Sequence, residues 1–242
     1  MGDRSGAPEA RAGLFRAGVL CTLAVLALAS PAKPQTVGPQ FWPEVDTYFR
    51  FNDDLRLFVP VSQTRSGESN SYENGTIGIY LDYFTQPLTK LDLYGPANDA
   101  RRRRLQFRVG YGYTASRGQS PATSTIDVEG TFRLLLPWKL LASERNRFDL
   151  NFTSGKFDPR YRNRIRLERS FDVGETRLIP YANGEFFYGF NAGKWIKTRA
   201  AAGLDVQVWE RFVPEVYVQR DYNPAPMPNV SGFGLTLSVY LK

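Results

Sequence analysis

Histidine is absent from all 242 residues of this chain. Histidine is the side chain best suited to proton transfer near neutral pH, so the common histidine-based hydrolase constellations cannot be mapped. Cysteine occurs once, as Cys21, inside an apolar run near the N-terminus. If that run is removed, the remaining chain has no disulfide, no thiol catalysis and no thiolate-bound metal. No stretch of 18 or more apolar residues exists, which excludes a transmembrane helix. No helix-borne metal motif, acidic calcium loop or phosphate-binding glycine loop is present, so no cofactor and no metal are expected.

The first thirty residues read as an export signal. Arg4, Arg11 and Arg16 precede an apolar run from Ala17 to Ala29. That run is too short to anchor the chain in a bilayer. Ala27-Leu28-Ala29 predicts cleavage after Ala29, with a second site after Ala32. The expected organisation is a signal peptide over residues 1–29, a linker over 30–40 and one domain over 41–242. Small residues do not precede Cys21, which argues against lipidation. The whole chain carries +7, and three arginines against Asp3 and Glu9 in the signal leave +6 for the rest. Those charges are spread along the chain rather than gathered on one helix or tail, so no nucleic-acid partner is expected. The run Arg101-Arg102-Arg103-Arg104 reads as a membrane-edge anchor or a turn.

Beyond the signal the sequence alternates. About eleven runs place apolar side chains at every second position, separated by turn-rich segments. A strand sends successive side chains to opposite faces, so each run has one apolar and one polar face. The last run shows it most clearly: Phe233, Leu235, Leu237, Val239 and Leu241 alternate with Gly232, Gly234, Thr236, Ser238 and Tyr240. Many runs are long enough to cross a bilayer as tilted strands, which takes about 9–11 residues. Tyr111, Tyr113, Trp138, Phe187, Tyr188, Trp195, Trp209 and Phe212 crowd the run ends like an interfacial girdle. The predicted fold is all-β: a single antiparallel up-and-down transmembrane barrel in a bacterial outer membrane. Single-chain bacterial barrels have even strand numbers, so eleven runs predict about twelve strands, with ten as the alternative. The uncertain stretches are Thr85 to Ala100 and Leu135 to Ala142.

If the apolar face meets lipid, the charged face points inward. Its expected basic members are Arg50, Arg56, Arg104, Arg108, Arg133, Arg147, Arg160, Arg162, Arg164, Arg166, Lys197 and Arg199. Its expected acids include Asp127, Glu129, Asp149, Glu168, Glu185 and Asp205, with Glu44, Asp46, Asp82, Glu215 and Asp221. The two sets nearly balance, as a lumen filled by ion pairs requires. Arg160, Arg162, Arg164 and Arg166 form a ladder on one face, spaced by about 6.6 Å. Guanidinium groups grip carboxylates through paired hydrogen bonds. The ladder is either a scaffold paired with Asp149, Glu185 and their neighbours, or, with Arg199, an anion-guiding strip. Paired inner carboxylates such as Asp127 and Glu129 could serve glycoside hydrolysis, but partnership with lumen arginines is the stronger reading.

Several segments resemble a known family. Phe41 to Asp46, Arg108 to Tyr113, Tyr161 to Arg169, Pro180 to Phe187 and the last strand are similar to markers of a bacterial outer-membrane barrel family, domain of unknown function 2490. The resemblance implies a barrel and a signal peptide, and no assigned activity, substrate or catalytic residue. The expectation is a small, non-enzymatic barrel, either sealed by lumen ion pairs or a narrow passive pore. The alternative is an anion-selective channel for acidic oligosaccharides or similar solutes. A carboxylate-dependent hydrolase ranks third. Expected partners are outer-membrane lipid and lipopolysaccharide, and the barrel-assembly machinery.

Overall fold

The computed structural model describes residues 38–85, 87–88, 99–118 and 120–241. The signal peptide, both cleavage sites and most of the linker fall outside the described residues.

The chain forms twelve strands: β1 (Gln40–Arg50), β2 (Leu55–Ser66), β3 (Tyr72–Phe84), β4 (Leu105–Ser116), β5 (Thr123–Leu136) and β6 (Leu140–Thr153) in the first half. β7 (Lys156–Arg169), β8 (Phe171–Val173), β9 (Thr176–Gly189), β10 (Lys194–Gln207), β11 (Phe212–Tyr222) and β12 (Val230–Leu241) complete it. Each strand except β8 pairs antiparallel with its sequence neighbours, and β9 pairs β7 directly. β8 is a short flap on β9. Eleven strands therefore close the barrel, and the ring is sealed by a parallel pair between β1 and β12. That seam runs from Gln40↔Gly232 to Phe49↔Leu241. An odd number of alternating strands makes the first and last parallel, so even parity is not needed for closure. The extra strand, β8, arises beside the turn at Gly174, not in either stretch singled out from sequence.

Tight turns join most strands. Ser154 and Gly155, both with positive φ of 49° and 76°, connect β6 to β7. Two positive φ values are the requirement of the hairpin turn whose twist matches the strands. Between β1 and β2 the Asn52 side chain accepts from the backbone N–H groups of Asp54 and Leu55, both at 2.9 Å.

Register fixes the barrel's dimensions. From Arg164 the cross-strand partners run Glu185, Arg199, Asp221 and Val230, reaching the level of Gly38 on the extension of β1. The other way round they run Arg145, Thr131, Gln106 and Phe84, reaching the level of Asn52. One circuit thus shifts the register by fourteen residues, from 38 to 52. For eleven strands this corresponds to a tilt of about 40° and a backbone diameter of about 20 Å.

The faces are inverted relative to a water-soluble domain. Ile77, Ile79, Tyr83, Phe107, Val109 and Ile165 all point outward, at 50–54 % exposure for these six. Trp138 and Trp209 stand out further, at 78 % and 60 %. Phe187 departs from the expected girdle: it is buried inside, with Lys197 and Arg162 over its ring. The apolar core is correspondingly small, Leu141 and Ile179 with Leu88 and Leu135 packed on them. Apart from Ala201, Ala202 and Val213, the other buried side chains among the described residues are polar, charged or aromatic.

Candidate functional site: the lumen chamber

The inward faces enclose a polar cavity of about 480 Å³. Its lining carries ten arginines and seven carboxylates, an excess offset by Asp82, Asp127, Asp149 and Asp221 just behind it.

One ion-pair chain runs round most of the wall. Tyr80 donates to Asp127 at 2.9 Å, and Arg147 bridges Asp127, at 2.8 Å, to Asp149. Arg162 joins Asp149, at 3.4 Å, to Glu185, at 2.9 Å. Arg145 also reaches Glu185, at 2.6 Å, and approaches Glu129 at 3.5 Å. Arg199 sits 3.8 Å from Glu185 and grips Asp221 through two hydrogen bonds of 2.7 and 2.9 Å. Lys197 shares Asp221 at 3.3 Å. The chain thus passes through β3, β5, β6, β7, β9, β10 and β11.

The seam region is covered differently. Tyr48 stacks between Phe58 and Tyr240, with centroids 4.7 and 4.8 Å away, and Phe58 meets Tyr80 at 5.5 Å. Beneath this lane Arg56 and Arg108 both hold Asp82, which is fully buried, at 2.6 Å. Tyr80 can lie flat here because its strand neighbour is Gly110; a Cβ there would come within 2.3 Å of a Tyr80 ring carbon and 2.4 Å of the Ile79 carbonyl oxygen. Gly234 makes the same room for Tyr217.

A second tier of ion pairs lies at one end. Arg166 binds Glu168 at 2.7 Å and Asp205 at 3.2 Å, and stacks over Tyr181 at 3.6 Å. Arg101, on a single 3-10 turn (Asp99–Arg102) between β3 and β4, reaches both of the same acids. Its Nε lies 3.1 Å from Glu168, and its Nη2 contacts Asp205. β10 lies five pairings from β4 one way and six the other, so Arg101 spans the bore. Arg103 is buried too, donating to the Asp53 and Thr85 carbonyls at 2.8 and 3.2 Å.

The arginine ladder is not uniform. Arg160 sits exposed at the mouth, paired with Asp158 at 2.6 Å. Arg162 and Arg166 are paired as above. Arg164 lines the chamber without a hydrogen bond or ion pair among the described residues. Its cross-strand neighbour Glu185 is already held by Arg145 and Arg162. All six acids singled out from sequence, Asp127, Glu129, Asp149, Glu168, Glu185 and Asp205, are inward and at most 6 % exposed. Arg104, expected inside, is exposed. Three inward cations escaped the sequence reading. Arg145 shares the alternation of Arg147 and Asp149, so extending β6 back to Leu140 would have exposed it. Arg101 and Arg103 leave no periodic trace, because a turn rather than a strand aims them.

Among the described residues no group of carboxylates is arranged to hold a metal ion. No curated protein matches the chain. A family model described as protein of unknown function (DUF2490) matches residues 39–231, and the chain belongs to that family.

Proposed function

We propose that this protein is an outer-membrane barrel without enzymatic activity, whose lumen is a closed polar chamber rather than a through-pore. The observation carrying this reading is Arg101, which reaches across the bore to Glu168 and Asp205. Pairing of Arg162, Arg166 and Arg199 with buried acids supports it, since paired guanidinium groups do not guide passing anions. The outward apolar surface supports placement in lipid, because exposed apolar patches of that extent are rare on soluble monomers. Outer-membrane lipid and lipopolysaccharide are then its surroundings, and the assembly machinery inserts it after export by the N-terminal signal. The missing histidine supports a non-catalytic role.

The anion-channel alternative retains one favourable observation, the unpaired Arg164. Two experiments test the proposal. Density fractionation of a double-membraned bacterium expressing the full chain should place it with outer-membrane markers; recovery in the soluble fraction would overturn the membrane reading. Vesicles reconstituted with the folded barrel should resist swelling in iso-osmotic arabinose. Rapid swelling would overturn the closed chamber.

A further inference from the structure

The chamber contains charged groups of both signs that form no ion pair among the described residues, and those on β7 and β1 lie on opposite walls. On one wall Arg164 has no hydrogen bond or ion pair among the described residues. On the other, Glu44 and Asp46 of β1 form no ion pair among the described residues, though Asp46 accepts from Tyr48 at 3.2 Å; Glu215 of β11, between the two walls, accepts from Tyr181 and forms no ion pair among them either. One Asp46 oxygen is buried with no hydrogen-bond partner among the described residues. β7 lies six pairings from β1 in one direction and five in the other, so Arg164 faces Glu44 and Asp46, while β11 with Glu215 lies three pairings from β7. Height agrees as well. The register circuit from Arg164 meets β1 at 38 and at 52, and Glu44 falls near the tilt-weighted midpoint between them. Glu44 and Glu215 both pair with Thr236, so the two acids sit two strands apart on one cross-strand row.

A lone charge in a protein interior is costly, and acids concentrated opposite a cation create a field across the space between. A simple anion gains at Arg164 and is repelled by the facing acids. A simple cation meets the reverse. A solute with both charges gains at both ends. The acidic wall also presents the rings of Tyr48, Tyr217 and Tyr240 to the chamber, which suits an ammonium group through its attraction to aromatic faces. The volume, about 480 Å³, falls within the range of small-molecule sites, about 300–1,000 Å³.

We propose that the chamber binds a small zwitterion, its carboxylate at Arg164 and its ammonium between Glu44 and Glu215. The solute enters from the end opposite Arg101. This deepens the closed-chamber reading and rests on it, but the two fail separately: swelling reports the seal, and calorimetry reports binding whether or not the seal holds.

The test is titration calorimetry on the barrel refolded in detergent. The ligands are 4-aminobutanoate and 6-aminohexanoate, with butanoate and butylammonium as half-ligands. At least one zwitterion should bind, and each half-ligand should bind at least about tenfold more weakly. Arg164→Gln and Glu44→Gln should each weaken the zwitterion by about tenfold or more, while Arg160→Gln at the mouth leaves it unchanged. Arg164 holds no partner, so Arg164→Gln should fold and resist urea at least as well as the parent; Arg164→Lys should retain part of the binding. The proposal is overturned if no zwitterion binds the folded barrel, if butanoate binds as tightly, or if Arg164→Gln changes nothing.

Discussion

Replacing Glu185 by glutamine tests the ion-pair wall at its most connected point. Glu185 is 2 % exposed, and its carboxylate accepts from Arg145 at 2.6 Å and from Arg162 at 2.9 Å, with Arg199 at 3.8 Å. Glutamine keeps the length and one acceptor oxygen but removes the charge that faces three guanidinium groups. Breaking a buried pair by removing one partner costs about 3–5 kcal/mol. Arg145 and Arg162 border the chamber, where water offsets part of that loss. The expected destabilisation is therefore near the lower end, about 3 kcal/mol. The assay is urea unfolding of the barrel refolded into lipid vesicles, followed by fluorescence of its four tryptophans. The midpoint should fall with an unchanged slope. Adding Arg162→Gln should recover part of the loss, giving a coupling of about 1 kcal/mol or more. A loss below about 1 kcal/mol would refute the reasoning, because the acids would then be spectators in a hydrated lumen.

Other substitutions test single contacts. Gly110→Ala should cost about 1–3 kcal/mol, since the methyl meets both the Tyr80 ring and the β3 backbone at the Ile79 carbonyl, and Tyr80→Ser should recover only the part due to the ring. No cost on either background would contradict the close approach of β3 to Gly110. The ladder should be uneven: Arg160→Ala changes stability by about 0.5 kcal/mol or less, as for exposed pairs. Arg162→Ala should cost about 3 kcal/mol or more. Similar effects at both positions would contradict the partition of the ladder. Tyr80→Phe leaves one Asp127 oxygen without its donor and should cost about 1–2 kcal/mol in the same urea assay; no change would remove Tyr80 from the network.

Alternation made the barrel legible because a period of two translates directly into inside and outside. It assigned Ile77, Val109 and Leu235 to the outer face and Asp127, Glu185 and Asp205 to the inner one. It could not reveal how the ring closes. Parity was argued from other barrels, whereas the β1–β12 seam is a long-range parallel pairing with no local signature. Phe187 misled for a related reason. An aromatic near a strand end resembles a girdle residue, yet its odd position on β9 shares the face of Glu185 and Tyr181. The unequal ladder was also beyond sequence. Four arginines at equal spacing look equivalent, and only competition for Glu185 leaves Arg164 without an ion pair among the described residues. Arg101 was hardest to read, because its role depends on where a turn places it across the bore.

Planar-bilayer recording tests the closed chamber most directly. The folded parent barrel should insert and remain electrically silent, and Arg101→Ala should produce discrete openings by releasing Glu168 and Asp205. Stable, discrete conductance from the parent barrel would contradict the account.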